Sequence, residues 1–188
     1  MRARAHALSS IAGVSAMQLI NANIVHRPIT DLVNPTSDPK EQVGIYATIL
    51  IGTLIGSSLP DIDYNWGKWH RTITHTIWFL AFIGYLWQLT KDIPQETIQS
   101  QLNPMTLGVL FGSAFHIIGD AYSVQGVDFI WPIIGYRRYK SGAVVVKGKR
   151  TLTPPLYHTG DKPLGIPASI WWSMITTPLF VLSLQSFL

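Results

Sequence analysis

The residues best suited to chemistry are aspartates and histidines near the ends of apolar segments. Residues 55–76 read IGSSLPDIDYNWGKWHRTITHT and hold two aspartates, two histidines, a lysine and an arginine. Imidazole and carboxylate groups bind zinc and other divalent cations, and the chain has no cysteine, the other common zinc ligand. The pattern predicts a metal site built from histidine and aspartate alone.

Two further features add ligands to this predicted site. His116 and Asp120 are four residues apart, so in a helix both side chains lie on one face and can bind one ion. His6 stands at the start of the first apolar segment. The predicted metal ligands are His6, Asp61, Asp63, His70, His75, His116 and Asp120. Arg71, in the HRTITH stretch, is predicted to bind an anionic substrate oxygen.

The same residues have simpler interpretations. A histidine at the end of a membrane segment is often only interfacial, an Asp-x-Asp after a helix is often only a turn, and Arg71 could be an anchor on the positively charged side of the membrane. Ionisable groups inside apolar runs are costly, however, and His75, His116 and Asp120 all stand in such runs. As a set, these residues favour the metal site.

Five apolar segments must position these residues, at about 7–25, 43–59, 72–90, 105–120 and 166–187. Hydrophobic residues make up 47% of the 188 residues and charged residues only 13%, about half the charged fraction of a soluble domain. Each segment is close to the roughly 20 residues that cross a bilayer. The sequence predicts an all-α polytopic membrane protein, a single domain over 1–188 with about five transmembrane helices.

The first segment is unusually polar for a membrane helix. It carries Ser9, Ser10, Gln18, Asn21 and Asn23, so as a helix it must bond these side chains inside a bundle. The alternative is a cleaved signal peptide, because two arginines precede it. The polar interruptions and the lack of a clear cleavage site favour the packed helix.

Basic residues set the predicted orientation in the cell membrane. Eleven of the 14 Lys and Arg residues fall at the N-terminus or in the connections after the second and fourth segments. This places the N-terminus in the cytoplasm and the C-terminus outside. All seven predicted ligands then lie at the cytoplasmic ends of the helices. The net charge of +4 therefore marks cytoplasmic loops, and no specific nucleic-acid binding is expected.

The stretch 121–165 is the longest polar part of the chain and is predicted to be a cytoplasmic loop or subdomain. Within it, residues 142–152 read GAVVVKGKRTL. This stretch alternates in residue character as a strand does, and Lys147–Gly148 could form a turn, so it predicts a small β-hairpin at the membrane surface. Thr72 or Thr74 is expected to cap the helix of the third segment.

Taken together, these motifs resemble the LexA-regulated, membrane-bound metal-dependent hydrolases of YdjM type. The match runs in order through the N-terminal histidine, GSSLPDID, HRTITHT, the H-x-x-x-D helix and GVDFIWP, and covers about two thirds of the chain. The chain departs from the family pattern at Thr72, Thr76 and Tyr64, where Gly, Ser and His are common. The resemblance implies a multi-helix membrane hydrolase with a bound divalent metal.

The leading hypothesis is hydrolysis assisted by one or more divalent ions, with zinc first and manganese, iron or magnesium as alternatives. Asp63 would be a bridging ligand or the general base, and Arg71 would bind substrate charge. A distant likeness to zinc-dependent phospholipase C suggests phosphoester chemistry, and a site at the membrane surface suits a lipid-like substrate. The alternatives are a metal or proton transporter, and a structural metal that joins helix ends. The oligomeric state is left open.

Overall fold

The described part of the chain contains five α-helices, as the apolar segments predict. The computed structural model describes residues 3–63, 73–121, 127, 136–138, 144–146 and 168–187. The helices are α1 (Ala3–Ile20), α2 (Pro39–Gly56), α3 (Ile77–Thr90), α4 (Glu96–Ala121) and α5 (Ala168–Gln185). The predicted all-helical architecture is confirmed.

Among the described residues, three helical stretches are long and apolar enough to cross a membrane. These are Arg4–Val25, Pro39–Asp63 and Glu96–Ala121. The apolar helix α3 has only 14 residues, fewer than the roughly 20 that span a bilayer. Large apolar side chains such as Leu54 and Phe82 are exposed on the outside of the bundle, where lipid would cover them.

Local signals explain where α1 ends and where α2 begins. The side chain of Asp38 caps α2 by accepting a hydrogen bond from a backbone N–H, and Pro39 occupies the first turn, where its missing N–H costs nothing. α1 continues into a single π-helical turn, Asn21–Val25. His26 closes that turn with φ of 56°, in the left-handed region.

The cap of α3 differs from the expected one. The Thr76 hydroxyl accepts a hydrogen bond from the Phe79 N–H, so Thr76 is the cap. Thr74 has other partners, described below, and Thr72 lies outside the described residues. The helix therefore begins at Ile77, later than the predicted segment.

Glycines allow α2 and α4 to pack with their backbones in contact. A Cβ atom on Gly52 or Gly56 would collide with backbone carbonyls of α4, and one on Gly108 or Gly112 would collide with carbonyls of α2. Glycines four residues apart on both helices are a typical close-packing motif of membrane helices. α1 and α3 also pack on α4, which makes α4 the central helix.

Polar side chains of α1 are bonded inside the bundle, as predicted. Ser10 donates to the Gly112 carbonyl of α4 at 3.2 Å. The Gln18 side chain donates to Ser186 at 3.0 Å and accepts from the Ile29 N–H at 2.8 Å. These bonds, together with the packing of α1 on α4 and α5, make α1 an integral helix of the bundle.

The predicted β-hairpin is not supported. Strands β1 (Tyr136–Arg138) and β2 (Val144–Val146) pair antiparallel, with Arg137 opposite Val145. The valines thus pair with residues that precede the predicted stretch 142–152, so this pairing is not the predicted hairpin, and Lys147–Gly148 lies outside the described residues. Most of the predicted subdomain 121–165 lies outside the described residues.

Replacing Gly108 with alanine is expected to destabilise the protein, because the added methyl group would press on the α2 backbone. We expect a loss of about 1–3 kcal/mol, the usual cost of overpacking, seen as a lower unfolding temperature in detergent. Gly44→Ala is the matched control, since nothing lies within 4 Å of its added Cβ. Equal destabilisation of both variants would contradict the backbone contact between α2 and α4.

Candidate metal centre

Four side chains from three parts of the chain meet at one end of the bundle. Asp61 follows α2 in a 3-10 turn, His75 precedes α3, and His116 and Asp120 lie one turn apart on α4. One nitrogen or oxygen atom from each lies within 4.8 Å of the others. This group, called the quartet below, could hold a metal ion.

The distances inside the quartet fit ligands around an ion. Asp120 Oδ2 lies 3.4 Å from His75 Nε2 and 3.7 Å from His116 Nε2. Asp61 Oδ1 lies 3.5 Å from His116 Nε2. N–H···O hydrogen bonds are usually shorter, at about 2.7–3.2 Å. Two ligands bound to a tetrahedral zinc ion at ordinary bond lengths are about 3.3–3.6 Å apart.

A backbone carbonyl orients His116. Its Nδ1 lies 2.5 Å from the carbonyl oxygen of Ser57, the first residue after α2. A carbonyl can only accept, so Nδ1 carries a proton, and in the neutral ring Nε2 presents its lone pair to the quartet. Metal-binding histidines are commonly oriented in this way.

Thr74 orients His75 in a similar way. Its hydroxyl oxygen lies 2.7 Å from the Pro60 carbonyl, 2.7 Å from Asp63 Oδ2 and 3.2 Å from His75 Nδ1. Because the carbonyl can only accept, the hydroxyl proton points to Pro60 or Asp63, and the oxygen accepts from Nδ1–H. Nε2 of His75 then faces Asp120 with its lone pair. The sequence analysis, which named Thr72 or Thr74 as the cap of the third helix, missed this role.

His6 lies directly against the quartet. Its ring stacks on the ring of His116, with centroids 3.7 Å apart and 11° between the planes. Its Nε2 is 3.5 Å from Asp120 Oδ1, and the residue is only 1% exposed. Within the described residues, neither ring nitrogen of His6 has a hydrogen-bond partner. An unbonded buried imidazole is costly, so its position points to a ligand.

The structure thus brings five of the seven predicted ligands together, namely His6, Asp61, His75, His116 and Asp120. Asp63 is buried beside them and is linked to His75 through Thr74, so its assignment as a ligand or base stays a prediction. His70 and Arg71 lie outside the described residues, and their predicted roles stay predictions too.

Part of the described surroundings of these groups is apolar. Ile117, Ala121 and Val127 form a small buried cluster at this end of α4. Removing an ionised carboxylate from water costs several kcal/mol unless opposite charge or hydrogen bonds offset it. Two aspartates set among buried imidazoles are therefore suited to a divalent cation, which would supply that charge.

A helical membrane protein with a buried cluster of histidine and aspartate at one end of its bundle is the class that the fold and the site define. The family model of the YdjM inner membrane protein matches residues 1–186, and the chain belongs to that family. The resemblance drawn from the motifs is thereby confirmed, together with the membrane location. No curated protein and no solved structure matches the chain.

Replacing Thr74 with valine is expected to weaken zinc binding about 10–100-fold, the usual effect of losing a group that orients a ligand. The valine has a similar shape but cannot accept the proton of His75 Nδ1. Thr74→Ser keeps the hydroxyl and should bind zinc like the wild type. Competition with a coloured zinc chelator measures the affinities. A valine variant with wild-type affinity would show that His75 does not depend on Thr74.

Proposed function

We propose that the protein is a metal-dependent hydrolase of the inner membrane, with zinc as the leading ion. The observation that carries the proposal is the spacing of 3.4–3.7 Å between the imidazole nitrogens and carboxylate oxygens of the quartet. Imidazole and carboxylate suit zinc, with manganese, iron or magnesium as alternatives. A divalent ion held there would act as a Lewis acid on the scissile group and on the attacking water.

The reaction we propose is the hydrolysis of a phosphoester or of an ester in a lipid-like molecule. The water oxygen bonds to phosphorus or to the acyl carbon, the bond to the leaving oxygen breaks, and a proton passes from the water to that oxygen. Asp63 is the candidate base that accepts this proton. The Thr74 hydroxyl oxygen lies 2.7 Å from Asp63 Oδ2 and would hold the carboxylate in place. Arg71 is the candidate for binding an anionic oxygen of the substrate.

We also propose that all five apolar segments cross the membrane, the third of them only partly as the helix α3, and that the quartet belongs to the cytoplasmic half. His6 lies near the start of α1, Asp61 after α2, His75 before α3 and Asp120 at the end of α4. Helices that alternate in direction bring these positions to one end, as the structure has them. The excess of Lys and Arg in the connections at the same end supports a cytoplasmic location.

With five spans, a reporter fused at the C-terminus is expected outside the cytoplasm. An alkaline phosphatase fusion, active only after export, should therefore be active, and a green fluorescent protein fusion should be dark. The same two reporters in the connection between α2 and α3 should give the opposite result. A cytoplasmic C-terminus would contradict the five-span arrangement.

Protein purified in detergent without chelator is expected to hold at least one ion per chain. His116→Ala and Asp120→Asn should lose it, because each removes a quartet donor. His26→Asn is the control, since His26 is exposed at the other end of the bundle and asparagine tolerates its left-handed backbone. Metal analysis by mass spectrometry makes the measurement. A metal-free wild type that is still folded would contradict the proposal.

Turnover separates a hydrolase from a protein that binds metal for structure alone. The loaded protein should hydrolyse a chromogenic phosphodiester or a short-chain phospholipid, and Asp63→Asn should lower kcat without changing the metal content. Full metal occupancy with no hydrolysis of either class would instead support an ion that joins helix ends.

A further inference from the structure

We infer that the quartet lies inside the hydrocarbon layer of the membrane and that its substrate is a membrane lipid, which approaches sideways past Ile62. The inference rests on the hydrolase proposed above and names its substrate class. The lengths of the helices, the apolar surface beside the quartet and the partial exposure of Asp61 support it.

The end of the bundle opposite the quartet carries residues typical of a membrane interface. Lys91 follows α3, and its Nζ lies 4.0 Å from the ring centroid of Trp87. Trp87 Nε1 donates to Asn103 Oδ1 on α4 at 2.6 Å, so the two helices are level there. The α4 residues before Asn103, from Glu96, are mostly polar. Because Trp and Lys mark membrane interfaces, one edge of the hydrocarbon layer lies near Trp87 and Asn103.

From this edge the helices reach the quartet before they have crossed the layer. The 14 residues of α3 extend about 21 Å, against a hydrocarbon thickness of about 30 Å. On α4, about 20 Å of helix separate Asn103 from His116. A tilted helix covers less of the membrane thickness than its length. The quartet therefore lies about 10 Å inside the edge of the hydrocarbon layer opposite Trp87 and Asn103.

Among the described residues, the exposed ones nearest the quartet in the sequence are apolar. Among the described residues within two positions of a quartet member, the exposed ones are all isoleucines. Their exposed fractions are 66% for Ile62, 44% for Ile73, 53% for Ile77 and 42% for Ile118. Such a group of large apolar side chains is unfavourable in water but suits acyl chains. Arg4, exposed near His6, is long enough to reach toward the head groups from this depth.

The quartet is partly exposed at Asp61. The Asp61 side chain is 29% exposed, whereas the side chains of His75, His116 and Asp120 are 0% exposed. Asp61 is followed directly by Ile62, the most exposed of the four isoleucines. A water-soluble ester would have to leave water to reach this opening. A lipid already lies beside it, with its ester group attached to chains that match the isoleucines.

Spin labels can measure the depth of the quartet directly. The chain has no cysteine, so single-cysteine variants can be labelled with a nitroxide one at a time. In phosphatidylethanolamine–phosphatidylglycerol vesicles, labels on Ile62→Cys and Ile77→Cys should collide more with dissolved oxygen than with a water-soluble nickel complex. Phe82→Cys, 57% exposed in the middle of α3, is the control for lipid. Ser37→Cys, in the exposed connection before α2, is the control for water.

The route to the quartet is tested on zinc-loaded protein in the same vesicles. Phenanthroline, which dissolves in the bilayer, should remove zinc faster than EDTA, which stays in water. Ile62→Trp should slow removal by phenanthroline several-fold because it fills the opening, whereas Ile55→Trp, 47% exposed elsewhere on α2, should not.

Labels at Ile62 and Ile77 that follow the Ser37 pattern, or zinc that EDTA removes as fast as phenanthroline does, would overturn the inference. Either result would leave the proposed hydrolase intact, with a substrate that comes from water. A protein that binds no zinc would contradict the hydrolase instead, and the spin labels would still decide the depth.

Discussion

The contact between the backbones of α2 and α4 determines where the candidate metal ligands stand. Its four glycines are Gly52, Gly56, Gly108 and Gly112. Because the two helices approach so closely, the carbonyl of Ser57 reaches His116 and Asp61 reaches the same imidazole. A separation larger by one methyl group would break both contacts, since packed interiors do not adjust smoothly to such changes. The geometry of the site therefore depends directly on how α2 and α4 pack.

Asp120 extends this connection to the other helices. One of its oxygens faces His6 of α1, and the other faces His75 at the start of α3 and His116 of α4. A single buried carboxylate thus stands between imidazoles from three helices. An ion bound there would hold these helix ends together, so a structural effect of metal and a chemical one would arise from the same contacts.

The sequence predicted the positions of side chains well where they follow helical periodicity, and less well where they depend on turns. Helices that alternate in direction, with His116 and Asp120 one turn apart, sufficed to predict the convergence at one end of the bundle. Thr74 was missed because its partner Pro60 is fourteen residues away in the chain, and no local pattern signals that contact. The polar start of α4, residues 96–103, fell outside the predicted apolar segment 105–120 because hydropathy marks membrane depth, whereas Glu and Gln are good helix formers in water.

A site inside the hydrocarbon layer would make its electrostatics both more costly and more effective. Charge interactions strengthen as the dielectric constant falls, so the carboxylates of Asp61 and Asp120 need an opposite charge more than they would at a wet surface. The same surroundings would let a bound cation act more strongly on an ester than it could in water. His75, His116 and Asp120 are buried, and the short α3 would determine how deep the quartet lies. Burial in surroundings of low dielectric constant thus makes the cluster unfavourable without an ion, and the same burial would make a bound ion more effective.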